Sequence, residues 1–264
     1  MRVRVRFAKA GKLRFISAID LGRVWERALR KADLPIAYSE GFSPHPKVSF
    51  GDALPLGYAS QAEFAELTFG GPIDPRLMTR RLNDAFPDGL SVLDACVGGE
   101  GDRRLGKLLQ ASLWTLDFAS SEGLEAAVAA LPADGPLLVE RERKGETITT
   151  DLRPPLVGIA VDGAQVRAVL RHPGFIPDTP EGGAAPRADD IATILGLDRP
   201  PTLITRLAQG RVSSTIPGVD DALRDTTEPL VPGASPDGSP SGAPPPDPAA
   251  PAQPPATHHQ EDAR

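Results

Sequence analysis

A Gly- and Pro-containing segment early in the chain carries the side chains best suited to hold an anion. Residues 38–47 read Tyr-Ser-Glu-Gly-Phe-Ser-Pro-His-Pro-Lys. Pro44 and Pro46 restrict the backbone on both sides of His45, and Gly41 allows a positive φ or a close backbone approach. We therefore expect a stiff, extended loop that presents three polar side chains: those of Ser43, His45 and Lys47.

Cationic side chains precede this loop at spacings that place them on shared faces. Four of them follow the i, i+4, i+7, i+8 pattern of one helix face: Arg23, Arg27, Arg30 and Lys31. Three more alternate along one face of a strand: Arg2, Arg4 and Arg6. The turn between these two elements contains Lys9, Lys12 and Arg14.

Guanidinium groups bind phosphate through paired hydrogen bonds and can stack on bases, so this set of residues is suited to RNA. An ordinary solvated helix face is the alternative interpretation. The predicted RNA- or anion-binding residues are Arg4, Arg6, Lys12, Arg14, Arg23, Arg27, Arg30, Lys31, Gly41, Ser43, His45 and Lys47.

Catalysis by the same loop is a competing interpretation. His45 could act as a base and Lys47 could stabilise a pentavalent phosphate, with Ser43 and Tyr38 nearby, as in metal-independent RNA endonucleases of CRISPR type. That comparison is architectural analogy alone. We therefore predict no catalytic residue, with His45 and Lys47 as the alternative.

The sequence excludes several other kinds of site. Cys96 is the only cysteine, so the chain can build neither an internal disulfide nor a cysteine-based zinc or iron–sulfur centre. We expect no metal and no cofactor. The lone thiol and the lack of an apolar run of about 18 residues favour a cytoplasmic protein with no membrane partner.

Several other residues are expected to have structural roles. Cys96, Trp25 and Trp114 lie in apolar patterns and are expected in the core. Glu63 is expected to pair with one of the N-terminal arginines. His172 precedes Pro173-Gly174 and is interpreted as a turn residue.

The charge distribution supports an anionic partner. Residues 1–50 hold eleven Lys/Arg and four Asp/Glu, a balance of +7, although the whole chain carries −6. Residues 220–264 hold two Arg and eight Asp/Glu. A basic N-terminal region followed by an acidic remainder is a recognisable electrostatic footprint of nucleic-acid binding.

Hydrophobic periodicity predicts an α+β fold. Val3, Val5 and Phe7 alternate as in a half-buried strand, and Ser17 with Asp20 indicates a helix N-terminus. Further strands and helices are predicted over 61–69, 74–86, 90–97, 112–118, 121–131, 136–142, 156–161, 164–171, 188–195 and 202–208.

These elements suggest two β-α-β-β-α-β rhythms in tandem, and thus two ferredoxin-like units. We place the units at 1–100 and 108–215. Residues 229–264 contain eleven prolines, and their Pro/Ala-rich composition predicts a disordered C-terminal tail.

Five segments occur in an order that is recognisable: Phe15–Leu21, Arg27–Pro35, Tyr38–Lys47, Leu54–Gly57 and Ala62–Phe64. In these segments the chain closely resembles the radical-SAM-associated (radical-SAM-linked) protein family, a domain of unknown function. The likeness extends over about residues 1–215. It implies a protein fused to, or encoded beside, a radical SAM enzyme, often near ribonuclease E/G genes.

The resemblance has one departure that matters. The family usually has His where this chain has Ala18, so a required pair of that His with His45 is not expected here. The resulting functional expectation is a non-catalytic RNA-binding or docking partner of a radical SAM enzyme encoded nearby. The alternatives are the endonuclease described above and a protein–protein adaptor with a basic face.

Overall fold

The chain forms a mixed α+β structure dominated by one large sheet. The computed structural model describes residues 1–98, 105–143, 145–177, 185–212 and 223–225, which lie in one compact unit, Met1–Pro232. The tail predicted as disordered at 229–264 lies outside the described residues. None of the described helices is long and apolar enough to cross a bilayer.

The first half contains four strands and two helices. A short 3-10 helix, Gly11–Phe15, lies between the first strand and the first helix. The regular elements are β1 (Arg2–Lys9), α1 (Ala18–Lys31), β2 (Val48–Phe50), β3 (Ala59–Thr68), α2 (Pro75–Ala85) and β4 (Leu90–Val97).

The second half contains the remaining strands and three short helices. They are α3 (Leu105–Leu108), β5 (Ala111–Asp117), α4 (Leu124–Ala129), β6 (Leu138–Arg143), β7 (Glu146–Asp151), β8 (Leu156–Asp162), β9 (Gln165–Arg171), α5 (Asp189–Ile194), β10 (Leu203–Val212) and β11 (Leu223–Asp225).

The main sheet has the strand order β4-β1-β3-β10-β5-β9-β8, with β2 paired to β3 and β11 paired to β10. All neighbours are antiparallel except β3 and β10. The strands β6 and β7 form a separate hairpin. The two halves of the chain therefore share one sheet, and the unit boundaries 1–100 and 108–215 stay a prediction.

The helices begin where their sequences predict. The Ser17 hydroxyl accepts a hydrogen bond from the backbone N–H of Asp20 at 3.1 Å, which caps α1. The Asp74 carboxylate accepts from the N–H of Arg76 at 2.9 Å and caps α2, with Pro75 in its first turn. Both predicted N-termini are confirmed.

The alternation of apolar and charged residues along β1 determines which face of the sheet the helices of the first half cover. Val3, Val5 and Phe7 are buried in one cluster with the apolar side of α1 and α2. Trp25 of α1 packs edge-to-face on Phe7, with ring centroids 5.1 Å apart. A second cluster fills the space between the other half of the sheet and its helices and includes Trp114. Both tryptophans are core residues, as expected.

A backbone clamp holds the turn after β1. The N–H of Ala10 donates to the carbonyl oxygen of Gly89 at 2.7 Å. Gly89 has φ +90°, and a Cβ at this position would lie 2.6 Å from the Ala10 oxygen. Only glycine fits this close approach, which fixes the start of the 3-10 helix that carries Lys12 and Arg14.

The two halves meet where β3 runs parallel to β10. The pairing is short, with Ala59 opposite Thr205 and Ser60 opposite Arg206. A buried ion pair reinforces it: Nη1 of Arg206 lies 3.0 Å from Oε1 of Glu63, and the two side chains are 5% and 6% exposed.

Substitution of Arg206 by Met should reveal how strongly this pair joins the halves. Removing one partner leaves the Glu63 carboxylate buried without its counter-ion, which typically costs about 3–5 kcal/mol. We expect a loss of that size in the free energy of unfolding, measured by urea denaturation. The double variant Glu63→Gln/Arg206→Met should recover part of it.

Arg30→Met serves as the matched control, because Arg30 belongs to an exposed pair with Glu26 at 3.8 Å. Exposed pairs contribute little, so the control should change stability far less. Equal effects of Arg206→Met and Arg30→Met would contradict the role assigned to the junction.

Candidate functional site

One side of α1 is an exposed cationic surface, which we call the α1 cationic face: Arg23, Arg27, Arg30 and Lys31. The apolar side of the helix, including Val24 and Trp25, packs on the sheet, so the cations point to solvent. Arg23 pairs with Asp20 at 3.1 Å, and the Ser17 hydroxyl, followed by this cation, lowers the pKa of Asp20.

The 38–47 loop is closed at its base rather than fully extended. The N–H of Ser39 donates to the carbonyl of His45 at 2.8 Å, and the N–H of His45 donates back to the Ser39 hydroxyl at 3.0 Å. The N–H of Lys47 bonds to the Ala37 carbonyl. Gly41 at the tip has φ +124°, which matches the conformational freedom expected there.

The closed base leaves the tip of the loop in solvent. Its exposed residues include Gly41, Phe42, Ser43, His45 and Lys47. The Phe42 ring is fully exposed, an unusual position for a large apolar side chain.

A side-chain contact brings the loop against the helix. Nδ1 of His45 lies 3.4 Å from Oε1 of Glu26 on α1. Glu26 also pairs with Arg30, so the imidazole, the carboxylate and the guanidinium form one row. The structure thus joins two of the predicted groups, the α1 cationic face and the loop, into one surface.

The strand arginines do not belong to this surface. Because Val3, Val5 and Phe7 face α1, the alternating Arg2, Arg4 and Arg6 lie on the opposite face of the sheet. Arg4 is 1% exposed, and its Nε donates to Glu66 at 2.9 Å.

The structure therefore does not bring the predicted helix and strand cations together on one surface. In the turn, Lys12 is exposed, whereas Arg14 is half-buried with its guanidinium 5.1 Å from the centre of the Phe15 ring. The exposed cations on this side of the sheet include Lys12, the four residues of the α1 cationic face and Lys47 on the loop, and α2 adds Arg76, Arg80 and Arg81.

A second group of polar residues is buried near the β3–β10 junction. Lys9 is buried and donates to the carbonyl of Ile16 at 3.1 Å. Burial lowers the pKa of the Lys9 ammonium, and the Glu63 carboxylate opposes that shift. Glu63 pairs with Arg206 and not with an N-terminal arginine, because the strand arginines lie on the other face of the sheet.

His172 is also part of this region and is more than a turn residue. Its Nδ1 lies 3.0 Å from the Leu109 carbonyl and 3.2 Å from Oδ2 of Asp52, and its Nε2 lies 2.6 Å from the Ser112 hydroxyl. The hydrogen bond from His172 lowers the pKa of the Asp52 carboxyl.

The order Ser112, His172, Asp52 has the connectivity of a hydrolytic triad. Ser112 is fully buried, however, and its hydroxyl is engaged with His172. A nucleophile must reach a reacting atom, so we interpret this row as a structural contact.

Two cavities adjoin the junction. A small one of about 90 Å³ is lined in part by Lys9, Glu63 and Ala18. A larger cavity of about 350 Å³ lies beside His172 and Arg206.

No cluster of three or more His, Cys, Asp or Glu side chains among the described residues could hold a metal ion. Cys96 is buried, as its apolar context predicts. The contacts among the junction residues were not predicted because distant segments of the chain supply them, from Lys9 to Arg206, and no local pattern connects those segments.

Comparison with known proteins identifies a family. Residues 2–174 match the bacterial family described as "Uncharacterized protein conserved in bacteria (DUF2344)". No curated protein matches the chain. The family match covers well over half of the 264 residues and includes the α1 cationic face, the 38–47 loop and most of the junction. The chain therefore belongs to the DUF2344 family of uncharacterized bacterial proteins.

Proposed function

We propose that this protein is a non-catalytic RNA-binding and docking partner of a radical SAM enzyme encoded nearby, acting in RNA modification or processing. The observation that carries the RNA-binding part is the His45–Glu26 contact at 3.4 Å. It sets a polar, aromatic-tipped loop beside an exposed row of arginines, and this combination suits a flexible polyanion.

The chemistry of the surface favours single-stranded RNA. Arg23, Arg27 and Arg30 can bind successive phosphates, and Lys47 adds a cation at the edge of the loop. The exposed Phe42 ring can stack on a base. Such contacts bind RNA with little sequence preference.

Tandem ferredoxin-like architecture is part of the proposal. The strand order β4-β1-β3-β2 of the first half is supported by the pairings of β1 and β3. In the second half, the order β10-β5-β9-β8 repeats the same arrangement with α4 and α5 as its helices. Both orders are those of a β-α-β-β-α-β unit.

The enzyme alternative depends on His45. Its Nδ1 faces Glu26, and its side chain is 71% exposed, so it lacks the dry environment that usually supports strong transition-state stabilisation. This favours binding over cleavage for the 38–47 loop.

The docking part of the proposal is supported by an apolar patch at the N-terminal end of α1. Phe15, Ile19 and Leu56 are each more than 60% exposed. The N–H of Gly57 donates to the Arg14 carbonyl at 2.9 Å, which holds the 55–57 turn beside Phe15. Grouped exposed apolar side chains mark protein contacts.

RNA binding should depend on the α1 cationic face. We expect Arg27→Glu/Arg30→Glu to abolish most binding of a single-stranded RNA oligomer in a fluorescence anisotropy titration. The loss of two phosphate contacts should also reduce the slope of log affinity against log salt by about 1.4, at about 0.7 per contact.

Arg76→Glu/Arg80→Glu on α2 is the matched control. It has the same charge change, but these residues lie beside β4 and away from the loop. Equal losses in both double variants would mean that binding follows net charge alone, and the assignment of a specific surface would fail.

The wild-type protein should leave bound RNA intact. Incubation of end-labelled RNA without metal should give no cleavage products on a denaturing gel. Cleavage by the wild-type chain that is lost in His45→Ala, with RNA binding retained, would establish the endonuclease alternative.

The radical SAM partner should be recovered with the tagged protein after nuclease treatment. It is recognisable by mass spectrometry as a product of a nearby gene with three clustered cysteines. Phe15→Ser/Ile19→Ser should reduce its recovery several-fold, because the patch loses its apolar character.

Leu138→Ser, at an exposed leucine on β6, is the control and should leave recovery unchanged. Loss of the partner upon nuclease treatment would show that RNA alone links the two proteins. Such a result would remove the docking part of the proposal and leave the RNA-binding part intact.

A further inference from the structure

The larger junction cavity combines apolar walls with a concentration of cations. It encloses about 350 Å³ and is lined by residues that include Tyr58, Trp114, Arg171, His172, Arg187 and Arg206. Its size lies at the lower end of the range for small-molecule sites, which begins at roughly 300 Å³. Several prolines and alanines complete the walls.

The charge in this cavity is unbalanced. Neither Arg171 nor Arg187 forms a side-chain ion pair with a described residue, whereas Asp52, the one acidic residue that lines the cavity, is held by His172. Arg206 uses one nitrogen for Glu63, and its Nε is buried without a hydrogen-bond partner among the described residues. Buried donors of this kind normally have an acceptor.

Rigid surroundings support the cationic side chains. The Arg206 guanidinium lies over the Trp114 ring at 4.6 Å, and Trp114 contacts Tyr58 edge-to-face with centroids 5.7 Å apart. The N–H of Arg187 donates to Asp190 at 2.8 Å, which fixes its backbone. Burial raises the pKa of Tyr58, and its side chain is hydrogen-bonded to Asp189, which holds the ring in place.

We propose that this cavity binds a nucleoside monophosphate, with the phosphate held by Arg171, Arg187 and Arg206 and the ring system against the Tyr58 side. Arginine is suited to the dianionic phosphate because its planar fork donates two parallel hydrogen bonds. The apolar walls exclude a small hydrated anion alone as the best ligand, because they would remain uncovered. The site is separate from the α1 cationic face.

A nucleoside monophosphate group can come from two sources: a free nucleotide or the 5′-phosphorylated end of an RNA. Calorimetric titration of the full chain with AMP and UMP tests the first. We expect binding that is at least tenfold tighter than that of inorganic phosphate or of adenosine. Arg171→Gln and Arg187→Gln should each weaken it about tenfold, the loss expected for one charge-assisted hydrogen bond.

The second source is tested with a short RNA oligomer carrying either a 5′-phosphate or a 5′-hydroxyl, in the Arg27→Glu/Arg30→Glu background. A preference for the phosphorylated oligomer that disappears with Arg187→Gln assigns the cavity to an RNA end. Binding of the free nucleotide alone assigns it to a small molecule. Arg80→Gln should change neither result, and thermal unfolding confirms that the variants are folded.

Absence of binding for AMP, UMP and the phosphorylated oligomer would overturn the proposal, as would wild-type affinity in both Arg171→Gln and Arg187→Gln. These outcomes are independent of the RNA surface on α1. Loss of RNA binding in Arg27→Glu/Arg30→Glu with intact AMP binding would separate the two sites directly.

Discussion

The buried Glu63–Arg206 ion pair is the interaction on which the arrangement of both halves depends. It lies beside a parallel pairing of only two residues on each strand, Ala59–Ser60 with Thr205–Arg206. So short a ladder provides few hydrogen bonds, and a charge pair away from water adds geometric specificity because either charge alone is costly to bury. Through this contact the sheet becomes continuous, and the cavity beside Arg206 acquires a fixed wall.

The cationic side chains have different surroundings at the junction and elsewhere in the molecule. Along α1, the cations are exposed and weakly paired, which suits an extended polyanion. At the junction the cations are few, range from the buried Arg206 to the exposed Arg187, and line a cavity with aromatic walls, which suits a compact ligand. The opposite face of the first sheet uses its arginines internally, since Arg4 and Arg2 bond to Glu66. One residue type thus has three different settings in the same chain.

Much of the framework could be predicted from the sequence because its signals are local. The Ser17 cap, the apolar stripe of α1 and the Asp74-Pro75 start of α2 depend on residues within a few positions of one another. The hairpin β8–β9 follows from Asp162-Gly163, and Gly163 adopts φ +58°. The short β2 and the polar, Thr-containing β7 lack such signals and were missed.

The site was predicted only in part for the same reason. Helical periodicity grouped the α1 cations correctly. The alternation along β1 placed Arg4 with the other strand arginines on one face of the sheet, but it could not show that α1 covers the opposite face. The partner of Glu63 lies 143 residues away, and no spacing rule reaches that far. The surroundings of His172 are supplied by Asp52, Leu109 and Ser112, so its role became visible only in the folded chain.

The edge of β3 that receives β10 has a consequence for biosynthesis. β2 and β10 both pair with β3 on the side not used by β1. During translation the first half is complete long before residue 206 leaves the ribosome, and contacts of such large sequence separation form slowly. Until then part of that edge is unpaired and the Glu63 carboxylate lacks its cation. The nascent chain therefore passes through a stage in which this short stretch of the β3 edge is open, before residues 205 and 206 pair with it and the sheet closes.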